Sequence, residues 1–198
     1  MKQSDMLGML DFLRQAEQLK DTLRSAHTTQ GRKESTAEHT WRLCLMAMLF
    51  EQEMPEIDHA KLMQMCVIHD LGEAISGDIA AVDQDPNIDK SYQERLDLQT
   101  LIAPLNQPMQ QHILSLWDEY EQAETLEAKV AKGLDKLETL IQHNQGLNPD
   151  GFDYEFNLHY GKKYTDQHPL LAAIREIVDQ DTASKVQPGT ELENEVKK

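Results

Sequence analysis

Apolar residues recur at helical spacing along almost the whole chain. Met9, Phe12, Leu13, Ala16, Leu19 and Leu23 share one stripe, which predicts a first helix ending near Ser25. "HTTQGRKE" breaks that pattern. Ser35 with Glu38 three residues on forms a capping-box start, so a second helix is expected over 36–52, with Leu43, Met46, Ala47 and Phe50 inward. Pro55 and Asp58 open a third helix running to about Gly77, and an aspartate-rich loop, "DIAAVDQDPNID", follows. Further helical patterns cover about 89–103, 108–122 and 125–144, the last with Val130, Leu134, Leu137 and Ile141 on its stripe. "GLNPDGFDY" interrupts the chain before a final short helix at 168–180. No run alternates convincingly with a strand's period of two. The expected fold is all-α: a single irregular helical bundle over residues 1–181. The polar segment from Thr182 to Lys198 reads as a disordered tail.

The third helix carries an anomaly. Leu62, Met65 and Cys66 sit at i, i+3 and i+4, and the next position of that stripe is His69. Asp70 follows directly, and Glu73 comes one turn later. Ionisable groups on an inward face are costly unless something pairs with them, and a bound cation would do so. His39 lies four residues before Leu43 on the second helix's stripe, and Asp135 stands beside Leu134 in the 125–144 helix. Two imidazoles and two carboxylates suit one divalent ion such as Mn, Fe, Co, Ni or Zn better than calcium, which prefers oxygen alone. The other histidines (His27, His59, His112, His143, His159 and His168) lie mostly in polar or loop contexts and read as surface residues.

Composition narrows the partners. With 19 basic and 35 acidic residues among 198, the net charge of −16 argues against a nucleic-acid partner. Residues 1–33 hold only a small local excess, six basic groups against four acidic ones. No apolar run reaches membrane-spanning length, and the N-terminal segment lacks the apolar stretch of a signal peptide. Cys44 and Cys66 sit within apolar helical patterns and read as reduced core residues of a cytoplasmic protein.

An H…HD…D order on helices, with the extended H-D-x-x-E-x-x-x-G-D string, resembles the HD-domain superfamily of metal-dependent phosphohydrolases. The carrying segments are "ESTAEHTWRL", "VIHDLGEAISGDIAAVD", "LWDEYEQAETLEAKVAKGLDKLE" and "HPLL". The subgroup most similar is that of the 5′-deoxynucleotidases, including the eukaryotic HD domain-containing protein 2 type. That resemblance implies that His39, His69, Asp70 and Asp135 hold one divalent metal. It makes Glu73 the residue that manages the attacking water's proton, Arg24 a phosphate clamp and Asp78 a contact for the sugar hydroxyl. The implied reaction is hydrolysis of deoxyribonucleoside 5′-monophosphates through a metal-bound water, in a homodimer. The alternatives are a pyrophosphohydrolase acting on a di- or triphosphorylated nucleotide, a non-catalytic metal- or nucleotide-binding regulatory module, and a di-iron oxygenase. The last lacks extra ligands, because His112 is the one histidine between Asp70 and Asp135.

The chain departs from the family at one point. Bacterial relatives follow the phosphate-gripping arginine with a tryptophan, where this chain has Ser25. Eukaryotic-type members place the tryptophan three residues after the arginine, where this chain has His27.

Overall fold

The computed structural model describes residues 1–79 and 90–186. The aspartate-rich loop expected after Asp78 therefore falls mostly outside the described residues, as does the tail from residue 187. Ten α-helices, two 3₁₀ turns (Glu17–Lys20 and Glu51–Glu53) and one two-stranded hairpin make up the described elements. In chain order they are α1 (Gln3–Ala16), a 3₁₀ turn (Glu17–Lys20), β1 (Leu23–His27), β2 (Lys33–Ser35), α2 (Thr36–Leu49) and α3 (His59–Ile68). Then come α4 (Glu73–Ser76), α5 (Lys90–Ile102), α6 (Gln107–Gln122), α7 (Leu126–Gln145), α8 (Tyr154–Asn157), α9 (Lys162–Thr165) and α10 (Pro169–Lys185). No helix among them is long and apolar enough to cross a membrane.

Helix α7 is the axis of the bundle. It packs against α2, α3, α6, α9, α10 and β1, and Val130, Ala131, Leu134, Leu137 and Leu140 are fully buried along it. Thr125 starts it by accepting from the Ala128 amide at 3.3 Å, which satisfies one of the donors a helix start leaves free. Leu43 of α2, Leu62 and Met65 of α3, Leu98 and Leu101 of α5 and Leu171 of α10 complete the centre of the core. Burying each such side chain is worth about 1.5–3 kcal/mol. Cys66 is buried and Cys44 partly so, and both are free thiols.

The first helix is shorter than its stripe predicts. It ends at Ala16, and Leu13 and Leu23 are exposed. The chain instead becomes a strand, because β1 finds β2 as an antiparallel partner, Leu23 opposite Ser35 and His27 opposite Lys33. The Thr36 amide donates to the Thr22 carbonyl at 2.9 Å and ties that hairpin to the start of α2. The Ser35–Glu38 capping box is formed as its spacing predicts.

The expected third helix is also broken. α3 stops at Ile68, and the backbone tightens into successive i→i+3 bonds: Leu71 to Ile68, Glu73 to Asp70, Ala74 to Leu71 and Ile75 to Gly72. In such 3₁₀-type winding, residues three apart lie one above the other. Asp70 and Glu73 therefore face the same side. Gly72 permits the tight pass of α5, since a Cβ there would sit 2.8 Å from the Glu94 carbonyl oxygen.

The final helix outruns the sequence expectation at the other end. α10 continues to Lys185, and Thr182 is fully buried. Its hydroxyl meets Asn144 of α7 in bonds of 2.9 and 3.1 Å, so a residue read as the start of the tail belongs to the packed bundle.

Candidate functional site

Three elements bring the predicted chemistry together. His39 comes from the first turns of α2, His69 and Asp70 from the turn after α3, and Asp135 from the middle of α7. His39 is fully buried, and His69 and Asp135 are each 5% exposed. His39 Nε2 lies 3.3 Å from Asp135 Oδ1 and 3.7 Å from Asp70 Oδ2. His69 Nε2 lies 3.0 Å from Asp70 Oδ2. The two imidazole centroids are 5.5 Å apart.

The far nitrogen of each ring fixes which way it points. His69 Nδ1 donates to the Cys66 carbonyl at 2.9 Å, and His39 Nδ1 donates to Glu138. Each Nε2 is left with a lone pair aimed at carboxylate oxygens, buried and without a hydrogen-bond partner. Such an arrangement needs positive charge between the groups. Nitrogen donors fixed from behind and carboxylates in front fit a divalent transition ion, and His39, His69 and Asp70 form one group close enough to share it.

The surroundings are as charged as the centre. Tyr120 Oη and Lys136 Nζ both donate to Asp135 Oδ2, at 3.1 and 2.8 Å. Trp117 Nε1 donates to the His69 carbonyl at 3.1 Å and pins the turn. Glu138, fully buried, also accepts from Arg42 Nε at 2.6 Å. Carboxyl groups at Glu34, Asp70, Glu73, Asp78, Asp135 and Glu138 outnumber the permanent cations Arg24, Arg42 and Lys136, and the imbalance shows in their titration. Burial, then Asp70 and Asp78, push the Glu73 carboxyl up to about 9. Burial and Glu138 likewise raise Glu34 to about 7, against the pull of Arg24. Burial opposes ionisation of Asp70 and Asp135, yet His69 holds the first and Lys136 the second below the usual carboxylate range.

Glu73 and Arg24 stand at the edge of this centre. Glu73 Oε2 accepts from Thr36 Oγ1 at 3.0 Å. Arg24, on β1, donates to Thr139 Oγ1 at 3.1 Å, and its guanidinium lies 3.5 Å from Glu34 and 3.6 Å from Asp70. Both residues, with Asp70, Asp135 and Asp78, line a cavity of about 350 Å³. Asp78 enters it just after Gly77, whose φ of +83° turns the chain at the end of α4. Ser25 is part of the cavity wall as well. His27 instead uses its carbonyl to hold Gln142.

Sequence reasoning passed over several residues. Glu138 lies three after Asp135 and Arg42 three after His39, so each shares its helix face with a predicted ligand. That spacing was the available signal. Lys136 and Glu34 carried none, because a charged residue beside a turn or a helix core reads as solvated. Two histidines assigned to the surface are buried: His168, which caps α10 and donates to Glu56 at 2.9 Å, and His143.

His143 gives a pH prediction. Burial pushes its imidazole down to about 4, with a hydrogen bond to Asn157 opposing the shift and the Arg24 charge adding to it. The unfolded chain, with an ordinary imidazole near 6.5, then binds more protons than the folded one between those values. Stability is expected to be unpenalised above pH 6.5 and to fall as pH drops toward 4, by at most about 3 kcal/mol from this group. Urea midpoints measured across that window should show a shallower fall for His143→Gln; parallel curves would mean that the group does not titrate there.

Comparison with known proteins places the chain. The 5′-deoxynucleotidase HDDC2 of Danio rerio is 28% identical over 191 residues, covering 94% of each chain. The 5′-deoxynucleotidase hdd1 of Schizosaccharomyces pombe is 30% identical over 188 residues, covering 86% of this chain and 88% of that one. Among solved structures, a predicted metal-dependent phosphohydrolase from Magnetospirillum magnetotacticum MS-1 superposes with a TM-score of 0.79 at 25% identity, over 92% of this chain and 97% of the other. The model of the HD domain matches residues 16–175. That span takes in every residue of the buried centre from Arg24 to His143, and the chain belongs to the HD domain family.

Proposed function

We propose that this HD-domain phosphohydrolase removes the 5′-phosphate from deoxyribonucleoside 5′-monophosphates, giving the nucleoside and inorganic phosphate. The observation that carries the reading is the pair of buried, unpartnered Nε2 atoms of His39 and His69, facing Asp70 and Asp135 in a cavity that also holds Arg24 and Lys136. The names of the 5′-deoxynucleotidase relatives support the substrate class.

His39, His69, Asp70 and Asp135 would hold one divalent transition ion, Mn, Fe, Co, Ni or Zn. When bound, such an ion supplies charge neutralisation for the phosphate and a polarised water. The remaining work falls to the chain. Arg24, braced by Thr139, offers a two-pronged donor to phosphate oxygens, and Lys136 adds a second positive charge on the same wall. Glu73 has one oxygen engaged by Thr36; the charge of a bound ion would bring its raised carboxyl down and leave the other oxygen to take the proton of the water that attacks phosphorus. Asp78 is positioned to accept from a sugar hydroxyl, and there a deoxyribose would be distinguished from a ribose.

The test is phosphate release from deoxy- and ribonucleoside 5′-mono-, di- and triphosphates by chelator-treated protein given Co, Mn, Mg or Zn separately. Metal-dependent release favouring deoxynucleoside monophosphates is expected. Pyrophosphate release from triphosphates alone would replace the reading with a pyrophosphohydrolase, and bound metal with no turnover of any ester would replace it with a regulatory module.

A further inference from the structure

The cavity continues past the charged centre along α7, and its far end is built of different chemistry. Asp135, Thr139 and His143 recur at intervals of four residues, and all three line the cavity. Eight residues of helix place His143 about 12 Å along the axis from Asp135. The loop after α7 and the short helix α8 bring Phe152, Phe156 and Asn157 to the same end. The Phe152 ring meets His143 edge-on, with centroids 4.9 Å apart, and Phe156 lies 5.5 Å from Tyr160 at a shallow angle.

One hydrogen bond defines what remains on offer. His143 Nδ1 donates to Asn157 Oδ1 at 3.2 Å. The histidine's other nitrogen, an acceptor, and the asparagine's amide nitrogen, a donor, are then left over. Neither has a partner, although His143 is 9% exposed and Asn157 only 1%. Buried polar atoms rarely stay unpaired, and here one donor and one acceptor do so beside two aromatic rings.

We propose that this end of the cavity seats the nucleobase. Phe152 and Phe156 meet its faces, while His143 Nε2 and Asn157 Nδ2 read a neighbouring donor and acceptor on its edge. The ligand class is a planar nitrogen heterocycle carried on a sugar phosphate. The seat rests on the nucleotide reading above and adds the specificity-determining residues. It also accounts for the missing ring near Arg24: aromatic surface arrives from residues 152–156 instead of position 25 or 27. Stacking on such side chains tolerates different bases, so discrimination between bases falls to His143 and Asn157.

The experiment compares a deoxynucleoside 5′-monophosphate with base-free deoxyribose 5-phosphate, using the full chain and its Phe152→Leu and Phe156→Leu variants. Leucine keeps the apolar volume and removes the aromatic face. The wild type is expected to prefer the nucleotide, and the ratio of the two kcat/KM values should fall about tenfold in each variant, through KM for the nucleotide. A ratio that stays put in both variants, or a wild type that does not distinguish the two substrates, overturns the seat while hydrolysis itself upholds the phosphatase reading. Thermal shift with free deoxynucleosides on chelator-treated protein needs no turnover. A rise in Tm for the wild type, reduced in the variants, supports the seat even if no ester is hydrolysed. No rise at millimolar nucleoside, with no kinetic preference, overturns it.

Discussion

Asp70→Ala is expected to lower metal-dependent phosphate release by on the order of 10³-fold or more, the largest loss foreseen for a single substitution. The Asp70 carboxylate lies within reach of both imidazoles, 3.0 Å from His69 Nε2 and 3.7 Å from His39 Nε2. Without it, two imidazole nitrogens and Asp135 remain, and divalent affinity should drop with the lost carboxylate charge. Stability separates this from unfolding. In chelator the variant should unfold at nearly the wild-type urea concentration, because it relieves the crowding that raises Glu73 even as Arg24 loses an ion-pair partner at 3.6 Å. Added Co or Mn at about a hundred times its dissociation constant should stabilise the wild type by about 2.7 kcal/mol and the variant by little. Retained activity would move the ion to the other group of potential ligands, Glu34, His39 and Glu138. The ion pairs there argue for the opposite result, since Arg42 and His39 already occupy Glu138 and Arg24 lies against Glu34.

Glu138→Ala should produce the largest loss of stability. Its carboxylate is fully buried and accepts from both His39 and Arg42. His39 and Arg42 together hold that carboxylate ionised against the cost of its burial. Alanine would leave a partly buried guanidinium and a buried imidazole proton without their acceptor, and losing one partner of a buried charged pair typically costs about 3–5 kcal/mol. Because the same carboxylate orients the His39 ring, metal affinity should also fall about 10- to 100-fold. Glu138→Gln keeps an oxygen for His39 but not the charge opposite Arg42, so its losses should be intermediate in both respects. Urea unfolding in chelator and metal titration of the folded variants measure the two effects separately. Wild-type values in both assays would show that Glu138 neither supports the fold nor steers His39.

The candidate site residues at inward positions were legible because they conflicted with their surroundings. His69 interrupts a stripe of Leu62, Met65 and Cys66, and His39 stands on the stripe of Leu43; both prove to be buried, with ring centroids 5.5 Å apart. The all-α character was legible for the same reason, since helical periodicity survives in every long segment. What was lost is what depends on partners far away in sequence. The hairpin could not be read because Leu23 continues a helical stripe, and only β2 makes a strand of it. Glu138 and Arg42 look like ordinary surface charges until α2 and α7 are packed together. Thr182 looks like the start of a polar tail until Asn144 is brought beside it. His143 and Asn157 fall in this class too: nothing local marks either as part of a cavity wall.

The bonds that orient the centre span nearly the whole chain: 115 residues separate Arg24 from Thr139, and 99 separate His39 from Glu138. Contacts of such separation form late in folding, after the local helices have been made. During synthesis, a nascent chain that already displays His39, His69 and Asp70 still lacks Asp135, Glu138 and Thr139. The ribosome must release about two thirds of the polypeptide before the His39 imidazole can be locked in direction by Glu138. Capture that needs Asp135 therefore waits for α7, and a ligand that binds only the folded chain stabilises finished molecules by mass action.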